Sequence, residues 1–472
     1  MNKKKILGYA VGPIGSGLLG FISLPIITWF YAAEDIGRIS MLQICISFCI
    51  LLFCFGLDQA YVRDYHESQN KAELLKNLSF PMVMLTMVSL VLLLVISPNF
   101  ISYHLYEIQS FYLSAITVCA FIAAVISRYL SLILRMQEKA LQFSMSQILP
   151  KILFLVFIIN VGVWQIEHDT TSLVTANALS VIAACLVYIW NTRHDLKAAF
   201  QAKMNVEVFR RGFIFGFPLL FNSLAGWGLA VSDRLFLKNY SNLSELGIYS
   251  VTISVAAVAT LFAGVFNTIW APMVFKWQSQ NSVETQKIHI IANNVVAIVF
   301  FLVVFSGLFS WVLPYFFPQQ YVNIQYLLPC CLLAPLLYTI SEITGIGVSL
   351  KRKTIYTMLA SVIAMLTSIA LCYLLVPVYG AKGASSATVF AFFVFFLVRT
   401  LFSEIVWQKM YDFKFYSPLL ILIFMGQFTL FWNGHKEYIY IGWVITLFIG
   451  IFIYKKIVSS FYNKVFLVFK RS

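Results

Sequence analysis

Four charged side chains fall inside runs of sequence that are otherwise apolar: Arg128, Lys151, Glu342 and Arg399. A charge held at the centre of a bilayer costs about 3 kcal/mol on insertion scales, so such residues are paired, wet or at work. Arg128, Lys151 and Arg399 read as lying in the cytoplasmic halves of their runs. There a long cationic stem can snorkel its head to the lipid headgroups. Alternatively the three line a basic cavity open to the cytoplasm, suited to a phosphate-bearing ligand that a guanidinium can grip by two oxygens. Both readings stand. Glu342 is too short to snorkel as far, so it is expected to face the bundle interior, in an ion pair or a wet cavity. Two further acid–base pairs sit at run ends: Asp58 and Arg63 in FGLDQAYVRDY, candidates for an inner gate, and Asp233-Arg234 in SDRLFL, candidates for substrate contact. For each pair the bland alternative is a solvated helix end.

Enzyme chemistry has no visible home. The six His fall in loops or at run ends, and no HExxH, GxSxG or phosphate-cradling glycine loop is present. The eight Cys lie in apolar runs with no CxxC or Cys/His spacing, which reads as buried thiols; no metal or cofactor is expected.

The elements that must position these charges are membrane helices. Of 472 residues, 60% are hydrophobic and 11% charged, far beyond what a water-soluble fold of this size needs. The apolar runs are too long for barrel strands. About fourteen spans are expected, near 6–30, 37–56, 79–97, 110–134, 145–164, 172–191, 212–232, 246–270, 288–312, 325–349, 354–376, 382–406, 416–432 and 438–458. The first run is too long for a signal peptide. With this segmentation one set of loops and both termini carry roughly 25 Lys and Arg against 5 in the other set. That bias places both ends in the cytoplasm and accounts for most of the net charge of +14 without a nucleic-acid partner. Trp29, Trp164, Trp311 and Trp432 fall at outer ends and Trp190, Trp270 and Trp407 at inner ends, as interface belts require. The longest loops, near 57–78 and 191–211, leave no room for a soluble domain.

A weak internal echo divides the chain. Gly8-x-x-x-Gly12-Pro13 is matched by Gly212-x-x-x-Gly216-x-Pro218, and Asp35-Ile36-Gly37-x-x-Ser40 by Glu245-Leu246-Gly247-x-x-Ser250. If it marks a duplication, Gly212 opens the second of two parallel halves. The expected organisation is an N-terminal lobe, 1–205, a second lobe, 206–410, and two added spans with a tail, 411–472. Gly8, Gly12, Ser16 and Gly20 put small residues on one face of the first span, suited either to close helix packing or to a bendable helix beside a cavity, with Pro13 and Pro25 as kink points.

FGLDQAYVRDY, SDRLFL, LGIYS, the Trp270-Ala271-Pro272 turn and VPVYGAKGASSAT, in that order, resemble the corresponding stretches of Wzx-type O-antigen and polysaccharide flippases of the MATE-like (MOP) exporter superfamily. The resemblance covers most of the chain. It implies an all-α integral membrane protein of two six-helix lobes plus two peripheral helices in the bacterial inner membrane. It further implies flipping of an undecaprenyl-diphosphate-linked oligosaccharide, an O-antigen or capsule repeat unit, from the cytoplasmic to the periplasmic leaflet. A polysaccharide polymerase and a chain-length regulator are then candidate partners. The chain departs from related lipid flippases in having no Arg within its first span, which leaves the phosphate-binding residues open. Two competing readings remain. A multidrug-type antiporter on the same fold would favour a central acidic residue in its first lobe, and none is evident from Ile6 to Asn191. An O-antigen polymerase should carry a large outer loop, which this chain lacks.

Overall fold

A computed structural model describes residues 3–163, 167–280, 285–353, 355–409 and 412–459. Their regular structure is helical throughout. Eighteen α-helices run in order as α1 (Lys3–Phe30), α2 (Ala33–Cys54), α3 (Leu57–Asp64), α4 (Lys71–Ile96), α5 (Phe100–Tyr106), α6 (Phe111–Met136), α7 (Ala140–Val163), α8 (Thr170–Asn191), α9 (Arg193–Gln201), α10 (Val206–Tyr240), α11 (Leu243–Ala256), α12 (Val258–Ser279), α13 (Thr285–Leu308), α14 (Ile324–Thr344), α15 (Ile346–Leu350), α16 (Ile355–Val406), α17 (Phe413–Phe431) and α18 (Glu437–Ile453). Two short 3-10 turns, Ser310–Tyr315 and Gln319–Tyr321, link α13 to α14.

Eleven of these helices are long and apolar enough to cross a membrane. The 52-residue α16 is in fact two spans joined at Gly380, whose φ of 53° and ψ of −129° no helix tolerates. With the shorter apolar stretches Ile14–Phe30 and Glu437–Ile453, each expected run has a helical counterpart among the described residues. The termini of several helices carry their own caps. Asn70 accepts from the Glu73 amide, Ser110 from Leu113, Asn242 from Glu245, and Asp169 with Ser172 forms a capping box.

The chain forms two compact units, Met1–Val231 and Ser232–Ser472. The division falls inside α10, whereas the lobe boundary expected from sequence lies at the start of that helix. The first unit is built on its fourth span, α6, packed by α2, α4 and α8. The second is built on α14, packed by α11, α13 and α16. In the first unit α1 lies against α7. A Cβ on Gly12 would come within 2.9 Å of the Ser144 Cα, and one on Gly15 within 2.7 Å of Ile148, so part of the small-residue face serves close packing. Gly20 meets open space, and Gly8 and Pro13 lie outside the described side chains. In the second unit the two added helices seat on glycines. Trp443 of α18 fills the space a side chain at Gly307 would need and donates to Thr429 Oγ1 at 3.1 Å.

The echoed acidic motifs do equivalent work in each unit. Asp35 accepts from Thr170 Oγ1 and from Arg38 Nη1 (3.1 Å), which ties α2 to the first residue of α8. Glu245 accepts the Ala381 amide at 2.8 Å, which caps the second half of α16. In both cases an acid in the first turn of one helix holds the start of a later one, α8 or the second half of α16.

Local structure departs from the sequence reading at several places. The stretches read as loops at 57–78 and 191–211 contain α3 and α9, and α5 lies between the spans expected at 79–97 and 110–134. The span expected at 246–270 divides at Ala257, where the Thr260 amide and hydroxyl both turn back to the Ala257 carbonyl, at 2.9 and 2.6 Å. Trp29, Trp190, Trp311 and Trp432 are well exposed, as belt residues should be, but Trp270 is 2% exposed and donates to the Glu342 carbonyl, so it is a core residue. Trp164 lies outside the described residues.

Candidate functional site

The FGLDQAYVRDY stretch is a helix break stabilised from three sides. Phe55 and Gly56 are both left-handed, with φ of 48° and 72°, so the chain leaves α2 and re-enters helix at α3 in a new direction. A Cβ on Gly56 would lie 2.1 Å from the Gly216 carbonyl oxygen, and one on Gly216 would lie 2.6 Å from the Gly56 backbone. Two backbones therefore touch where α10 crosses the break, and neither position admits a side chain. Asp58, in the first turn of α3, accepts from Arg128 Nε (3.0 Å) and Nη2 (2.6 Å) of α6. The Asp58 side chain is 11% exposed and that of Arg128 37%. Arg63 holds different partners, Asp64 at 2.5 Å and the face of Phe215 at 3.8 Å. Asp58 and Arg63, expected together at an inner gate, thus share α3 but not an ion pair.

Lys151 follows Pro150 in α7 and is half-buried. Among the described residues no carboxylate comes within ion-pairing distance of it. Of the three cations expected to line a basic cavity, it is the one without an acidic partner.

In the second unit α14 ends at Thr344, breaks at Gly345 and resumes as α15. Arg399 of α16 packs into this break, where a Cβ on Gly345 would meet its Cγ and Nε at 2.8 Å. Its Nη1 donates to Glu342 Oε1 at 2.5 Å and to Ser341 Oγ at 3.3 Å. The Arg399 side chain is 7% exposed and Glu342 24%, so the acid is the wetter partner. Thr344 and Thr400 exchange a 2.6 Å hydrogen bond, and the Gly347 amide donates to Ser403 Oγ at 3.0 Å, fixing α16 against the break.

Asp233 is not at a solvated helix end. α10 continues to Tyr240, and Asp233 is 2% exposed. Its Oδ2 accepts from the Tyr249 hydroxyl (2.6 Å) and Thr388 Oγ1 (3.1 Å), and its Oδ1 stands 3.7 Å from Arg234 Nε. Ser232 and Ser368 exchange a 2.6 Å hydrogen bond one residue away. Neither Tyr249 nor Thr388 was singled out from sequence, although Tyr249 lies in LGIYS, a stretch of the family resemblance. Arg38, Thr170 and Glu245 were likewise missed as interacting groups; the Asp35/Arg38 spacing of three on one helix was the available signal.

The intramembrane charges are therefore brought together as Asp58–Arg128 in the first unit and as Glu342–Arg399 and the Asp233 cluster in the second, with Lys151 lacking an acidic partner among the described residues. Such pairing lowers the cost of burying each charge and leaves guanidinium nitrogens able to exchange a carboxylate for another oxyanion. Among the described residues no three His, Cys, Asp or Glu side chains converge as a metal site would require.

A sequence profile described as polysaccharide biosynthesis protein matches residues 3–278. Among solved structures the chain is similar to a lipid II flippase, MurJ, in an inward closed conformation, with 15% identity and a TM-score of 0.69 over 97% of this chain and 99% of that one. It is also similar to an inward-facing multidrug resistance MATE family transporter of the MOP superfamily, with 14% identity and a TM-score of 0.58 over 82% and 94% of the two chains. A MATE structure in a straight conformation gives 12% identity and a TM-score of 0.55 over 84% and 94%. At these identities the likeness is one of fold. No curated protein sequence matches the chain.

Proposed function

Because the chain belongs to the polysaccharide biosynthesis protein family, we propose that it is a flippase rather than an enzyme. Its substrate in this reading is an undecaprenyl-diphosphate-linked oligosaccharide, an O-antigen or capsule repeat unit. The protein moves it from the cytoplasmic to the periplasmic leaflet of the inner membrane by alternating access, with both termini cytoplasmic. A polymerase and a chain-length regulator would act on the product. The observation that carries the proposal is Lys151, a cation inside a span with no acidic partner among the described residues, on a fold shared with a lipid II flippase. An unpaired ammonium in that setting calls for an anion, and a diphosphate supplies one. Arg128, more than a third exposed, is the more open member of its pair with Asp58.

The energetics favour the outward direction. An inside-negative potential of about 100 mV acts on each elementary charge with ~2.3 kcal/mol. A diphosphate with two negative charges gains roughly 4–5 kcal/mol on moving outward if nothing compensates. Deletion of the gene tests the proposal. Lipid-linked oligosaccharide should accumulate on the cytoplasmic leaflet, and surface polysaccharide should return with the wild-type copy. Normal surface polysaccharide together with heightened sensitivity to cationic dyes would instead identify a multidrug antiporter.

A further inference from the structure

The centre of the second unit carries one open stripe. α14 is covered by α11, α12, α13, α16 and α17, and from Leu327 to Thr344 its side chains are buried except at Leu332, Pro335, Tyr338 and Glu342. These four recur at the three- and four-residue spacing of a single helix face. Tyr338 is the most open of them, at 38% exposure. Its ring lies parallel to that of Phe395 of α16, 2° apart in tilt and 5.8 Å between centroids. One turn further along α14 stands Glu342 with its partner Arg399, whose guanidinium is 5.6 Å from the same Phe395 ring. The Tyr338 hydroxyl lies beside both charged groups. A stripe that includes a partly exposed ion pair does not face hydrocarbon, because uncovered charge there is too costly. It therefore belongs to a water-accessible face of the unit.

We propose that Tyr338, backed by Phe395, is a platform on which a sugar ring of the substrate stacks, with Glu342 and Arg399 taking that ring's hydroxyl groups. This rests on the flippase reading and names the part of the substrate that this face receives. A pyranose presents a face of C–H bonds and a rim of hydroxyls. An aromatic ring offers the C–H face an apolar, electron-rich surface at little entropic cost, since only two side-chain torsions must be fixed. A carboxylate accepts from hydroxyls and a guanidinium donates to them in one plane. The bonds of Arg399 to Glu342 and Ser341 both leave from Nη1, and a guanidinium carries five N–H donors in all. The carboxylate also argues against the other end of the substrate at this position. Glu342 would repel a diphosphate, whereas a neutral hydroxylated ring meets no such penalty. The stripe thus fits the glycan and not the pyrophosphate.

The test compares two lipids on the purified full-length protein in nanodiscs: undecaprenyl diphosphate, and the undecaprenyl-diphosphate-linked glycan extracted from the host. Tyr338→Leu removes the ring while keeping apolar bulk, and Tyr338→Phe keeps the ring and removes the hydroxyl. Tyr338→Leu should weaken binding of the glycan-bearing lipid about five- to tenfold and leave undecaprenyl diphosphate within about twofold, while Tyr338→Phe should bind the glycan lipid within about threefold of wild type. Thermal denaturation of each variant in the same nanodiscs identifies a folding defect, and Phe395→Leu then serves as the second platform variant. If wild type binds the glycan lipid and both ring-deleting variants bind it equally well, the platform is refuted and the flippase reading stands. Equal weakening toward both lipids also refutes the platform. If wild type binds neither lipid, the flippase reading fails, and the platform with it.

Discussion

Neutralising each member of the Glu342–Arg399 pair separates a structural from a transport role. Glu342→Gln strands a guanidinium that is only 7% exposed, its 2.5 Å partner reduced to a neutral amide. Removing one member of a buried ion pair costs about 3–5 kcal/mol. Arg399→Gln leaves the opposite charge, but Glu342 is 24% exposed and can take up water, so the loss should be nearer the value of a charge-assisted hydrogen bond, about 1.5–3 kcal/mol. The acid-side substitution should therefore destabilise more than the base-side one. In the double variant two amides can hydrogen-bond across the same gap, and part of the loss should return as a coupling of about 1–3 kcal/mol. Stability is read by thermal denaturation of the purified proteins, and transport as surface polysaccharide in a complemented deletion strain, normalised to protein level. If the pair merely closes the α14 break, the double variant recovers transport along with stability. If the charges touch substrate, the double variant is stable and still fails to export, and Arg399→Lys keeps part of the activity. A Glu342→Gln protein as stable as wild type would refute the reasoning from burial.

Gly56→Ala should abolish the folded protein, since it adds about 1–2 kcal/mol of left-handed strain to a contact of 2.1 Å with Gly216; a wild-type yield of monodisperse protein on size exclusion would contradict this. Lys151→Gln should lower export without lowering stability, because no acidic partner among the described residues is left behind, whereas Arg128→Gln should lower both by leaving Asp58 buried and unpaired; export assays beside denaturation curves distinguish the two. Asp233→Leu should destabilise more than Asp233→Asn, because the amide oxygen can still accept from Tyr249 and Thr388 while Leu leaves both hydroxyls without it, and equal denaturation midpoints would speak against that arrangement. In a protein freed of native Cys, a Cys at position 104 should label in intact cells and one at position 352 only after opening them; the reverse pattern would invert the topology.

The chain by itself determined that it spans a membrane about fourteen times, which loops carry the positive charge and which side chains are costly where they lie. Each is a local sum over some twenty residues, matched to a fixed bilayer thickness, and needs no knowledge of a neighbour. The weak echo between Asp35 and Glu245 was also legible as residue spacing, but the distant helix starts that the two acids hold, at Thr170 and Ala381, were not. Partner choice was not. Spans such as α4, α10 and α18 are apolar toward lipid and core alike, so no periodicity marks the inward face, and helix rotation decides what meets what. That is why Asp58 and Arg128, or Glu342 and Arg399, could be noted but not joined, and why Asp233 stood out without Tyr249 and Thr388. The glycine of FGLDQAYVRDY shows the same limit. Its place beside a helix end was visible, but that it must be glycine follows from Gly216 lying against it, a backbone contact made across 160 residues of chain by the crossing of two helices.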